Sequence, residues 1–188
     1  MLTRYENFLK EFDALMSDIF KQQSRYVKCK KGCSLCCETG EYPFSQLEFT
    51  YLTKGFINLP PDKKRIVQQN IKNLIEEKKS LKGEGRFEHQ CPFLIDRECS
   101  VYPYRGIVCR TFGIGYYDRE KDYVKLPECV HYGLNYSEFY DKESKTLTLD
   151  DVINVNLRID KLLSSKLAKS YNLEYGDIRP MLDWLEQK

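Results

Sequence analysis

Apolar residues recur at helical spacing from the first turn of the chain. Leu2, Tyr5, Phe8, Leu9, Phe12, Leu15, Met16, Ile19 and Phe20 share one stripe, which predicts an amphipathic helix buried along that side. Thr3 and Glu6 stand at capping-box spacing near its start, and the helix is expected to fray before the basic residues 28–31. Ser45, followed three residues later by Glu48, predicts a second helix that stops near Gly55. Pro60 and Pro61 open a third, with Ile66, Val67, Ile71, Leu74 and Ile75 on one face. Its other face carries Lys63, Lys64, Lys72, Lys78 and Lys79, read as a solvated surface rather than a phosphate site. Residues 83–85, Gly-Glu-Gly, break that pattern.

The period changes after residue 110. Between 111 and 126 the segments FGIGYY and DYVKL flank the polar stretch DREK, which predicts a β-hairpin. Gly113 and Gly115 weaken its first strand and suit a close backbone approach. Asp150 or Asp151 is placed to cap a further helix with Val152, Val155, Ile159, Leu162, Leu163 and Leu167 inward. A last helix is expected around Ile178, Met181, Leu182 and Leu185, with Trp184 beside them. The expected fold is mainly α with a small β-hairpin (α+β). It is expected to form one compact domain over 1–188, built around cysteine-bound metal. Its motif core is about 29–130, and helical N- and C-terminal segments pack around it.

The eight cysteines change the picture most. Cys29, Cys33, Cys36 and Cys37 fall within nine residues; Cys91, Cys99, Cys109 and Cys129 are spread over the next hundred. Cys33-Ser-Leu-Cys36 has the spacing at which one tight turn offers two sulfurs to one ion, and Gly32 supplies a permissive backbone position before it. Successive side chains such as Cys36 and Cys37 are expected to point apart, so two centres, a polynuclear cluster, or one merely buried sulfur all remain open. All eight are candidate metal ligands, for an iron–sulfur cluster (a 4Fe–4S centre) or for zinc. Arg105 and Arg110 bracket Cys109 and are candidates to offset thiolate charge, as is Arg97. His89 and His131 each lie two residues from a cysteine, as ligands or as neighbours of the site. The letters CxxxCxxC, from Cys29 to Cys36, also occur in radical S-adenosylmethionine enzymes, but the alternating strand–helix pattern of their barrel is missing.

The two cysteine segments, CSLCC and CPFLIDRECSVYPYRGIVCRTF, resemble the CxxCxxCC cysteine-cluster family of zinc- or iron-chelating proteins (YkgJ-like). The likeness spans about 29–112, with Cys129 as a later member of an eight-cysteine set. Two positions depart from it: three residues rather than two separate Cys29 from Cys33, and Gly106 stands where the family often has proline. The resemblance implies zinc or iron–sulfur binding and no particular reaction. A similar domain occurs in flagellin lysine-N-methylases, but this chain shows no glycine-rich S-adenosylmethionine loop.

Composition bounds the rest. A chain of 188 residues with 31% charged side chains and 14 tyrosines can bury a core. The formal charge of +2 would fall to about −2 with eight thiolates around two divalent ions, and no basic stripe with interleaved aromatics accompanies the lysines. Nucleic acid and membrane are therefore not expected as partners. An unidentified protein partner or substrate is left open. The opening residues read as neither secretory signal nor transit peptide. That favours a cytoplasmic location, where clustered cysteines are metal ligands more often than disulfides. No P-loop, dinucleotide fingerprint, HExxH helix or nucleophile elbow is present.

Overall fold

The computed structural model describes residues 1–30, 32–81, 87–148 and 156–186. In chain order, α1 (Leu2–Gln22) and the single turn α2 (Leu35–Glu38) come first. They are followed by β1 (Pro43–Ser45), α3 (Gln46–Ile57) and α4 (Pro61–Ser80). The middle holds β2 (Leu94–Ile95), β3 (Glu98–Cys99), α5 (Ile107–Thr111), β4 (Tyr116–Asp118) and β5 (Tyr123–Lys125). The end adds β6 (Tyr140–Asp141), β7 (Thr146–Leu147), α6 (Ile159–Leu163), α7 (Lys166–Ser170), β8 (Ile178–Pro180) and α8 (Met181–Glu186). The result is mainly helical, with four small antiparallel strand pairs among the described residues.

The chain gathers into two compact units, each made from two stretches of sequence. Unit 1 joins Met1–Lys31 to Arg110–Leu173, and unit 2 joins Gly32–Cys109 to Glu174–Lys188. The expected 1–188 domain and its 29–130 core are thus shared between them. Cys29 and Cys129 fall in unit 1, the other six cysteines in unit 2.

In unit 1, α1 buries Tyr5, Phe8, Leu9, Phe12, Met16 and Ile19, while Leu15 stays exposed. The Thr3–Glu6 capping box is not formed: the helix starts two residues earlier, with Met1 as N-cap and no side-chain cap. The hairpin is shorter than its sequence span, pairing Tyr116 with Lys125 and Asp118 with Tyr123. Thr111 ends α5 rather than starting a strand, because the two glycines after it interrupt any continuous ladder. The helix expected from Asp150 is, in the described residues, two short ones, α6 and α7. Ser165 breaks them apart by capping α7 through Ala168 N–H. Positions 149–155, with its proposed caps, lie outside the described residues, as do 83–85.

In unit 2, Ser45 and Glu48 form the expected capping box, and Pro61 opens α4. Phe44, Phe49, Leu52, Val67, Phe93, Val101 and Met181 make the core. Ile178 is not helical: β8 lies antiparallel to β1, with Pro43 opposite Pro180 and Ser45 opposite Ile178. Pro180, at the strand's end, separates that pairing from α8, whose Trp184 stacks on Phe49 and donates Nε1–H to Phe44 O. No helix among the described residues is long and apolar enough to cross a membrane.

Candidate metal centre

Unit 2 presents its cysteines on short turns, a hairpin and single-turn helices, each held by its own local chemistry. Gly32 takes a left-handed backbone (φ +85°) immediately before Cys33, the conformation glycine adopts without strain. Cys36 and Cys37 ride on α2, which Tyr42 anchors by donating its hydroxyl to Cys36 O at 2.6 Å. The backbone N–H of Cys91 donates to Cys37 O at 2.6 Å, which ties the second cysteine segment directly to the first. Cys99 sits on β3 of a two-residue hairpin, opposite Leu94. Its turn residues Asp96 and Arg97 both have positive φ, as the favoured hairpin turn requires. Cys109 is carried by α5.

The N-terminus of α5 is fixed by a buried acid. Glu48 accepts from Ser45 N–H at 2.9 Å and from Ser45 Oγ–H at 2.7 Å, both through Oε2, and from Ile107 N–H at 2.7 Å through Oε1. One side chain therefore caps α3 and seats the helix bearing Cys109. Gly106, just before that helix, is placed where a Cβ would lie 2.6 Å from the Phe44 ring and 3.2 Å from Glu48 Oε1. Gly106→Ala should therefore cost about 1–3 kcal/mol by overpacking, read as a lower thermal midpoint; an unchanged midpoint would show that Phe44 yields freely.

All eight cysteines are free thiols. Contrary to the expectation that Cys36 and Cys37 point apart, their sulfurs meet on the α2 turn. A hydrogen bond from the Cys37 thiol pulls Cys36 below its usual range. The same bond, then burial and the charges of Cys36, Cys91 and Cys109, push Cys37 well above it. Burial raises Cys91 to about 12, with Cys99 and Cys36 adding to it. Burial also raises Cys99, which the Arg105 guanidinium opposes. Cys109 is raised by burial and then by Cys91, Cys99, Cys36 and Glu48. Five sulfurs, drawn from residues 36 to 109, thus share one electrostatic neighbourhood. Cys91, Cys99 and Cys109 have the apolar core at their backs.

As the side chains stand, no three His, Cys, Asp or Glu among the described residues are gathered closely enough to hold a metal ion. The chemistry of the donor set nevertheless fits a thiophilic metal. None of the thiols is in a disulfide, and those of unit 2 repel one another once ionised. Burial favours the protonated forms, so capture of metal would release protons and strengthen as pH rises.

Cys29 is exposed and Cys129 buried in unit 1, both near enough to add to the pKa rise of Tyr136, which burial carries to about 12. Arg105 offsets thiolate charge at Cys99; it stacks on exposed Tyr102, 3.8 Å from the ring centre. Arg110 is instead buried and paired with Asp13. Arg97 is exposed in its turn. His89 is buried, with Nδ1 against Gln90 O at 2.9 Å and Nε2 without a hydrogen-bond partner among the described residues. His131 is exposed with its ring edge on Tyr140.

Sequence reasoning passed over Glu48 as more than a cap, and Asn135 altogether. The signal for Glu48 was its place in a capping box on a face that is otherwise apolar. Asn135 carried no local signal, since its partners lie at 28, 29 and 113.

The family model described as "putative zinc- or iron-chelating domain", CxxCxxCC, matches residues 28–131, more than half of the chain. The chain belongs to the CxxCxxCC family. The match takes in all eight cysteines, including Cys29 with its longer spacing to Cys33. No curated protein and no solved structure matches the chain.

Proposed function

We propose that this CxxCxxCC protein holds an iron–sulfur centre on the cysteines of unit 2, Cys36, Cys37, Cys91, Cys99 and Cys109, and uses it to carry or sense electrons. The observation that carries this reading is the adjacent pair Cys36–Cys37 on one turn, in the neighbourhood of three further thiols. Four of these sulfurs would complete either a closed zinc site or an iron–sulfur cluster, but two consecutive cysteines suit the wider spacing of a cluster with several metal atoms better than one small ion. The apolar core behind Cys91, Cys99 and Cys109 supports it as well, because burial and hydrogen bonding to sulfur tune the potential of such a centre. Eight free thiols fit a reducing compartment such as the cytosol. Cys29, Cys33 and Cys129 complete the proposed ligand set, as members of the same motif or of a second centre.

A structural zinc module that docks a partner protein is the second reading. The β2–β3 hairpin favours it, since short hairpins and turns presenting cysteines are all that a folding-coupled zinc site needs. The two readings part on purification without oxygen. The iron–sulfur reading predicts a brown protein with iron and acid-labile sulfide in stoichiometric amounts. A colourless protein with stoichiometric zinc and no sulfide would overturn it in favour of the zinc module.

A further inference from the structure

Cys29 is the exposed member of the cysteine set, yet its sulfur is held. Asn135, fully buried in unit 1, donates from Nδ2 to Cys29 Sγ at 3.1 Å and to Gly113 O at 2.7 Å. Its Oδ1 accepts from Lys28 N–H at 2.7 Å. One carboxamide thus fixes the backbone before Cys29 and places a donor on the sulfur itself. Gly113 makes room for this. Its backbone is left-handed (φ +97°), and a Cβ there would lie 2.9 Å from Asn135 Nδ2 and 3.2 Å from Cys29 Sγ. The neighbours of Asn135 extend the arrangement. Leu134 N–H donates to Cys129 O at 3.2 Å, and Tyr136 N–H to Tyr26 O at 2.8 Å. Residues 134–136 therefore form a strap that touches both cysteines of unit 1.

We infer that Asn135 is the positioning residue for Cys29, presenting its sulfur to solvent with an amide donor already in place, as a ligand for a thiophilic metal. The inference rests on the reading that the cysteines bind metal. A buried amide is costly unless all its polar atoms are used, and here both ends are spent on the cysteine segment and on the glycine that accommodates it. An N–H donor on a thiolate withdraws electron density and fixes the sulfur's direction, which is how groups behind a ligand tune a metal site.

The test uses the full-length chain and Co(II), whose thiolate charge-transfer absorption reports sulfur ligation. Asn135→Asp keeps an acceptor for Lys28 N–H but loses both donors; Asn135→Leu loses everything. The aspartate variant should bind Co(II) roughly 10- to 100-fold more weakly than the parent, while the Lys28 amide keeps its protection from hydrogen exchange. In a Cys29→Ser background the same substitution should change the affinity little. Parent-like Co(II) binding by Asn135→Asp, or equal weakening with and without Cys29, would overturn the proposal. Loss of Lys28 protection in the aspartate variant would also overturn it, since the amide would then be holding the segment rather than presenting its sulfur. A parent chain that shows no thiolate–Co(II) absorption would instead defeat the metal reading itself.

Discussion

Cys109→Ser is expected to reduce bound metal to well under half of the parent's content and to abolish the stabilisation that metal confers. The reason is the place of Cys109 in unit 2. It is half-buried, packs against the Phe44–Phe93–Met181 core, and feels the charges of Cys91, Cys99 and Cys36. A serine hydroxyl is a poor ligand for the soft metals that thiolates select, and metal-binding free energy is folding free energy when the site forms only on folding. The two forms of the protein should respond differently. Without metal the change replaces one small half-buried group by another, at about 1–2 kcal/mol. With metal the loss should be several-fold larger. Thermal melting with and without metal, beside elemental analysis, checks both arms. Equal metal content and equal melting in parent and variant would remove Cys109 from the ligand set, and Cys36→Ser would then have to be judged separately.

Glu48→Ala is expected to lower stability by about 3 kcal/mol or more, because two backbone donors and one hydroxyl would be left buried without acceptors, at about 1–3 kcal/mol each. For a chain of this size that corresponds to a fall of roughly 6–12 °C in the thermal midpoint. The effect should extend to the metal. Ile107 N–H is held by Glu48 Oε1, so the helix carrying Cys109 loses its fixed start when the acid is removed. Metal content should fall although no cysteine has been touched. A midpoint within about 2 °C of the parent would mean that solvent replaces Glu48 at little cost, and that α5 is seated by its apolar side chains alone.

Much of the helical framework was legible because local signals dominate it. The Ser45–Glu48 box and the paired prolines before α4 mark helix starts wherever the rest of the chain folds. Where the sequence misled, a longer-range contact had won. Ile178 sits at helical spacing from Leu182 and Leu185, yet pairing with β1 draws it into a strand. The Thr3–Glu6 pair had the right letters for a cap, but the apolar stripe already includes Leu2, so the helix begins before the cap could act. The division into two units was hidden for a similar reason. Each unit joins an early stretch to a late one, and no linker composition marks the crossings at 31–32, 109–110 and 173–174.

The cysteines were legible as a set but not as a partition. Spacing grouped Cys29 with Cys33, Cys36 and Cys37, but could not show its hydrogen bond from Asn135, more than a hundred residues on. Spacing also could not show that Cys36 and Cys37 share a hydrogen bond, since the α2 turn that brings their sulfurs together is only four residues long. Arg110 looked like a counter-charge for sulfur because it follows Cys109 directly. Asp13, nearly a hundred residues away in sequence, takes it instead.

X-ray absorption at the edge of the bound metal tests the central claim most directly, since it counts sulfur neighbours without regard to function. Thiolate ligation predicts a shell of sulfur at about 2.3 Å that is depleted in Cys109→Ser. A shell of oxygen and nitrogen alone would contradict it.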